Sequence, residues 1–218
     1  MSVKISASVL NSDLANLEKE LKRAEAAGAD MVHLDVMDGV FTESLTFGDY
    51  VVKSLRPHTK LPLDTHLMVN NPTKLIPLFA AAGSDIITIH AESACDTKAC
   101  LKLIKSLGVK AGISANPETD VEDVFPYLEL CDMVLIMSVK PGAGGQAFQN
   151  TSLDKIKAVR EEADRLNIVL DIEVDGGINE VTAPLVFAAG ANIAVVGTYL
   201  LNSGDMEQAV KIIKNSAM

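Results

Sequence analysis

The segment His33-Leu34-Asp35-Val36-Met37-Asp38-Gly39 sets an imidazole and a carboxylate two residues apart, directly after the apolar pair Met31-Val32. It reads as the end of a buried strand running into a turn, where alternate side chains share a face. His33, Asp35 and Met37 then point the same way, and His33 and Asp35 can converge on one ion. Asp64-Thr65-His66-Leu67-Met68 repeats the arrangement at a second strand end, and Glu173-Val174-Asp175-Gly176-Gly177 forms a third. His33, Asp35, His66 and Asp175 together are a ligand set for a divalent cation. Mixed nitrogen and oxygen donors put Zn²⁺ first and also suit Fe²⁺, Mn²⁺ or Co²⁺. Taken singly, each would read as a core histidine or a loop aspartate; gathered at three strand ends, they reverse that reading. Asp64 and Asp38 are placed to orient the imidazoles, although Asp38 beside Gly39 equally suits a turn. His90 reads as a polar wall of the site or as an ordinary strand-end histidine.

Asp35 and Asp175 come from the second and seventh strands, expected on opposite sides of a barrel mouth. A ligand between them shows one face to each, so one acid can remove a proton while the other returns one to the opposite face. Such chemistry inverts a stereocentre next to a carbonyl, through an enediolate that a Lewis-acidic ion stabilises. Met37, Met68 and Met137, each at a strand end, either pack against a planar intermediate or fill the core. Pro141-Gly142-Ala143-Gly144-Gly145-Gln146, Gly176-Gly177 and Gly197-Thr198 follow the last three strands. Glycines there let backbone N–H groups approach an anion, so a phosphate-bearing ligand is expected.

Positioning these groups requires a scaffold, and the chain alternates short β-rich apolar runs with longer amphipathic segments. Strands are predicted over residues 4–9, 31–35, 63–68, 86–90, 110–114, 133–137, 171–174 and 194–196. Helices are predicted over 12–27, 48–55, 72–82, 97–107, 117–130, 152–166, 180–189 and 205–214. Eight such pairs without a linker close most naturally into a TIM (β/α)8 barrel, one domain over residues 1–218. A doubly wound sheet is the runner-up, but the first turn, Leu10-Asn11-Ser12, lacks its glycine fingerprint. Hydrophobic residues make up 48% of the chain, yet no apolar run approaches the ~18 residues of a membrane span. A net charge of −10 argues against a nucleic-acid surface. The opening Met1-Ser2-Val3-Lys4 enters a strand at once, leaving no room for a signal peptide, and a cytoplasmic location is expected. Cys95, Cys100 and Cys131 lack Cys-x-x-Cys spacing and read as reduced thiols.

With these motifs in hand, the sequence resembles the ribulose-phosphate 3-epimerases along essentially its whole length. The resemblance is carried by Ser6-Ala7-Ser8, His33 to Gly39, Leu63 to Met68, Met137-Ser138-Val139, Pro141-Gly142 with Gly144-Gly145-Gln146, and Ile172 to Gly177. It implies a metal-dependent isomerase that interconverts D-ribulose 5-phosphate and D-xylulose 5-phosphate, with Asp35 and Asp175 as the acid–base pair. The same resemblance implies metal ligation by His33, Asp35, His66 and Asp175. It implies substrate contacts from Ser8, His66, Gly142, Ala143, Gly144, Gly145, Gly176, Gly177, Gly197 and Thr198, and a homo-oligomer. The chain departs from the family at Ala7, at Val40 to Ser44, and at Lys140 and Ala143, where the family usually has Pro, His-Phe-Val-Pro-Asn, Asn and Phe. These changes leave a related ketose phosphate, such as D-allulose 6-phosphate, open as substrate. A decarboxylating or aldol-type barrel would need a lysine between its acids, and His33-Leu34-Asp35 has none. A phosphosugar sensor would have lost an acid or a ligand, and none is missing.

Overall fold

The structure, a computed structural model, describes residues 3–217; Met1, Ser2 and Met218, the ends of the expected domain, lie outside the described residues. Eight strands, β1 (Lys4–Ser8), β2 (Met31–Met37), β3 (Leu63–Met68), β4 (Ile86–His90), β5 (Lys110–Ala115), β6 (Met133–Met137), β7 (Asp171–Asp175) and β8 (Ile193–Val196), pair in sequence order. All pairs are parallel, and β1 also pairs with β8, so the sheet closes into the expected barrel. The helices are α1 (Leu17–Ala26), α2 (Asp49–Leu55), α3 (Ile76–Ala82), α4 (Thr97–Ser106), α5 (Ser152–Arg165), α6 (Ala183–Ala189), α7 (Thr198–Leu201) and α8 (Met206–Asn215).

Each strand has two buried faces, which explains its nearly continuous apolar character. Outward residues such as Val32, Leu34 and Val36 pack into the main hydrophobic core under the helices. Met206, Ala209, Val210 and Ile213 give α8 a buried stripe at helical spacing that seats it on the barrel. Inside the barrel, Met31, Ile86, Met133 and Ile193, one from each even strand, form a floor. Above it the interior turns polar: Ser6, His33, Asp64, His66, Thr88, His90, Ser114 and Glu173 are all buried there.

Several helix limits differ from expectation for local reasons. The segment predicted as a helix over 117–130 is a 3-10 segment, Val121–Leu130, with Pro126 inside it. Proline supplies no N–H and crowds the preceding turn, so a regular α-helix is disfavoured. The helix predicted from residue 180 begins at Ala183, because Asn179 Oδ1 accepts from the N–H groups of Val181 and Thr182 and holds them in a turn. The first helix is preceded by a separate 3-10 turn, Leu14–Asn16, capped by Asp13. The helix expected from Pro72 starts at Ile76, and the four-residue α7 was not anticipated.

Gly112 faces the barrel interior, where a Cβ would overlap Thr88 Oγ1 on the neighbouring strand. Gly112→Ala should therefore destabilise the protein by about 1–3 kcal/mol through overpacking, with partial recovery in the Gly112→Ala, Thr88→Ala double variant. Chemical denaturation midpoints measure this; an unchanged midpoint in the single variant would show that the two strands yield freely.

Candidate active site

Parallel register brings the chemistry together. In the β2–β3 ladder His33 pairs with Asp64 and Asp35 with His66, so two His/Asp couples stand side by side at successive levels. Asp175 reaches the same point from β7, three strands away round the ring and one short of diametrically opposite. One donor atom from each of His33, Asp35, His66 and Asp175 lies within 4.8 Å of the others. Asp35 Oδ1 is 3.2 Å from His33 Nε2 and 3.3 Å from His66 Nδ1. Donors about 2.0–2.1 Å from a shared tetrahedral ion would stand about 3.3 Å apart, so these separations fit a metal of that kind. His33 Nε2, fully buried, has no hydrogen-bond partner, which leaves a lone nitrogen aimed at the cluster.

The neighbours of the cluster set its orientation. His33 Nδ1 lies 2.6 Å from Asp64 Oδ2, which also accepts from Ser6 Oγ at 3.0 Å. Ser8 Oγ donates to Asp35 Oδ2 at 3.1 Å, leaving Oδ1 for the two imidazoles. Asp38 does not touch an imidazole. Its carboxylate accepts from the N–H groups of Val40, Phe41 and Asn70, so it shapes the turn after β2. His90 does not line the cavity; fully buried, it stands behind His66, its Nε2 2.8 Å from His66 Nε2.

Burial and proximity drive the charges apart. Burial alone would keep Asp35 neutral, but the His33 imidazole holds it far below the usual carboxylate range. Burial likewise opposes a proton on His33, yet Asp35 and Asp64 raise its pKa well above 6.5. Asp175 is pushed up to about 7, first by burial and then by the negative charge of Asp35. Burial lowers His66 to about 4, so it is neutral. Two carboxyls facing one space with opposite protonation preferences match the division between acid and base that proton-transfer enzymes exploit. Glu173, one turn of the pleat below Asp175, is raised well above the carboxylate range by burial and by Asp64.

Above the cluster opens a cavity of about 900 Å³ lined by Ser8, Asp35, Asp175 and the strand-end methionines Met37, Met68 and Met137. The three methionines are also almost wholly buried, so they serve as both core and cavity floor. Gly142, Ala143, Gly144, Gly145, Gly176, Gly177, Gly197 and Thr198 line the same cavity; His66 lies beneath it. Gly176 and Gly177 have φ of 123° and 65°, and a Cβ on either would strike Val139 or the backbone at Phe148. Asn11, passed over in the sequence because it lies in a plain turn, donates to Thr198 Oγ1 at 3.2 Å and closes one side. The two loops that depart from the family pattern touch each other through Ser44 Oγ, which donates to Gly142 O at 2.8 Å.

A pair of acids poised differently on one cavity, among oriented imidazoles at the carboxyl end of a closed barrel, fits a proton-transferring enzyme of the (β/α)8 class. A model of the Ribulose-phosphate 3 epimerase family matches residues 4–201. The chain is 45% identical over 215 residues to the ribulose-phosphate 3-epimerase of Bacillus subtilis (strain 168), covering 98% of this chain and 99% of that protein. It is 42% identical to the chloroplastic ribulose-5-phosphate-3-epimerase of Arabidopsis thaliana, over 97% of this chain and 76% of that one. The chain belongs to the ribulose-phosphate 3-epimerase family. Among solved structures, 3-keto-L-gulonate-6-phosphate decarboxylase from Vibrio cholerae O1 biovar El Tor superposes with a TM-score of 0.76 at 17% identity, over 100% of this chain and 98% of that one. At that identity the likeness is one of fold.

Ligation requires His33 Nε2 to be free of a proton, and Asp35 and Asp64 keep it protonated to well above pH 6.5 in the metal-free protein. Below that raised pKa, each cation taken up should expel one proton from His33. Asp175, raised to about 7, must give up its proton as well, so Zn²⁺ affinity should rise about a hundredfold per pH unit below about pH 7 and about tenfold per unit from there to the raised pKa of His33. Chelator competition between pH 6 and 8, with proton release read in weak buffer, checks the slope; an affinity that levels off once Asp175 has ionised would mean that His33 is not a ligand.

Proposed function

We propose that this protein is a 3-epimerase of ketose phosphates that interconverts D-ribulose 5-phosphate and D-xylulose 5-phosphate. The observation that carries the reading is the pair Asp35 and Asp175, both lining one cavity, one driven to ionise and the other to keep its proton near neutrality. Asp35 takes the C3 proton from one face of the bound sugar, leaving an enediolate. Asp175 delivers its proton to C3 from the other face, and the stereocentre inverts. The reverse reaction exchanges the two roles. Ser8 holds Asp35 through Oδ2 and keeps its other oxygen turned to the cluster.

His33, Asp35, His66 and Asp175 would hold the divalent cation, Zn²⁺ first among candidates, and the separations around Asp35 Oδ1 support that assignment. When bound, the ion supplies a Lewis acid that draws charge from the substrate carbonyl as C3 loses its proton. Gly142 to Gly145, Gly176, Gly177, Gly197 and Thr198 receive the phosphate and the distal hydroxyls, their backbones open to an anion where side chains would fill the space. Met37, Met68 and Met137 pack against the planar intermediate and offer it no proton. A six-carbon ketose phosphate such as D-allulose 6-phosphate is the second reading, favoured by the small Ala143 on the cavity wall. A cytoplasmic setting belongs to the same proposal, supported by free Cys95, Cys100 and Cys131. Among the described residues, no helix is long and apolar enough to cross a membrane.

Zn²⁺-loaded protein in deuterated water should place deuterium at C3 of ribulose 5-phosphate and form xylulose 5-phosphate. Asp35→Asn and Asp175→Asn should each cut net epimerisation by about 10²–10⁴-fold or more, since each removes one half of the proton transfer. NMR of the sugar pool reads both isotope and configuration. Failure to exchange the C3 hydrogen of any pentulose or hexulose phosphate in a panel would remove the epimerase assignment.

A further inference from the structure

The turn after β1 carries a side chain that the proposed proton transfer does not use. Ser12 donates to Val9 O through its N–H at 3.1 Å and through its hydroxyl at 2.7 Å, so residues 9–12 form a tight turn with Asn11 at a corner. The Leu10 N–H donates to Ser8 Oγ at 3.3 Å and ties the turn to the strand end beneath it. From that corner the Asn11 amide meets two other loops. Its Nδ2 donates to Thr198 Oγ1 at 3.2 Å, on the segment after β8. The same amide packs against Gly144, on the loop after β6. A Cβ at Gly144 would strike Asn11 Nδ2 and lie 2.9 Å from Asn11 Cγ and 3.1 Å from Oδ1. Any side chain there would push the amide away, so the bare backbone at 144 and the bond to Thr198 belong together. Asn11, Gly144 and Thr198 all line the cavity.

The direction of the bond decides what Thr198 can offer. A hydroxyl has one proton and two lone pairs. With a lone pair taken by the Asn11 amide, the Thr198 proton is left to give, and no acceptor among the described residues takes it. A phosphate dianion only accepts. The glycine loops offer it backbone N–H groups, and Thr198 adds an O–H whose oxygen is already polarised by the amide behind it. A neighbour that accepted from Thr198 would instead claim the proton the anion needs. Once an anion holds that proton, only the NH₂ side of the Asn11 amide can pair with the hydroxyl.

We propose that Asn11 is a positioning residue for the substrate phosphate, its amide lodged between Gly144 and Thr198 so that the Thr198 hydroxyl proton turns toward the anion. The proposal rests on the reading of the ligand as a ketose phosphate. It gives the turn after β1 a share in the phosphate grip, and that share acts through one hydroxyl.

Ribitol 5-phosphate carries the phosphate and lacks the carbonyl, so it binds without being turned over, and titration calorimetry reads its affinity. Asn11→Ala should weaken binding about tenfold and Thr198→Val about 10–100-fold, the range covered by hydrogen bonds to charged groups. Thr198→Ser, which restores the hydroxyl, should recover most of what Thr198→Val loses. The Asn11→Ala, Thr198→Val double variant should be no weaker than Thr198→Val alone, because the amide acts through that hydroxyl. Asn11→Asp keeps the shape and can still bond Thr198, but only by accepting. It takes the proton from the anion and should bind more weakly than Asn11→Ala, whereas a side chain that merely tethered two loops would tolerate aspartate better than alanine. Wild-type affinity in folded Asn11→Ala, or a double variant clearly weaker than Thr198→Val, would overturn the role assigned here. Asn11 is exposed, so its variants should fold, as circular dichroism can verify. The order wild type, alanine, aspartate at residue 11 carries the test alone should Thr198→Val fail to fold. No binding by the wild type would strike the phosphate reading and the proposal with it. Binding of the expected pattern without epimerisation of any ketose phosphate would leave the proposal standing and remove only the reaction.

Discussion

Everything at the mouth of this barrel depends on the attraction between an ionised Asp35 and the imidazole of His33 inside a closed sheet. Removing either charge from water costs several kcal/mol even after relaxation. That cost is offset only because Asp64 holds the far nitrogen of His33, Ser6 holds Asp64 and Ser8 holds the second oxygen of Asp35. The neighbouring acids then bear the consequence. Burial first, and then the negative charges settled on Asp35 and Asp64, drive Asp175 and Glu173 toward the neutral form. The difference between two buried aspartates thus arises because Asp35 has the His33 and His66 imidazoles as hydrogen-bond partners and Asp175 does not.

Much of this was legible in the sequence, and the legible part has a common origin. The limits of β3, β4 and β6 agree with expectation because each is a run of residues buried on both faces and bounded by Pro62, Asp85 or Asp132. The four donors were legible for the same reason: their parity along β2, β3 and β7 fixes which face they share, and a closed parallel barrel gives those faces one meeting point. Helix starts were less so. A side chain such as Asn179 can claim backbone donors for a turn, and a proline such as Pro126 changes the type of helix without ending it. The place of His90 was hidden because it depends on a ring on the adjacent strand. Glu173 shares the parity of Asp175, so its inward direction was visible in principle. Its neutrality was not, since it follows from the company of Asp64 across the barrel.

The distinction between scaffold and site is also sharp. Outward-facing Val, Ile and Leu residues and the floor of Met31, Ile86, Met133 and Ile193 describe a barrel that many unrelated chemistries could occupy. What narrows the chemistry is confined to a thin layer at the strand ends. The interior immediately beneath, from Ser6 through Glu173, is more polar than a barrel needs for packing. It is the support that lets the layer above carry charge, and it ties the choice of core residues to the reaction rather than to stability alone.

The bond from Ser44 to the backbone of Gly142 joins the turn after β2 to the glycine loop after β6. Two segments distant in the chain therefore form one continuous rim, and a length or shape change in either deforms its counterpart. The acceptor is a main-chain carbonyl, so the junction constrains the path of the glycine loop rather than its side chains, and an exchange at residue 44 alone suffices to unfasten two stretches nearly a hundred positions apart.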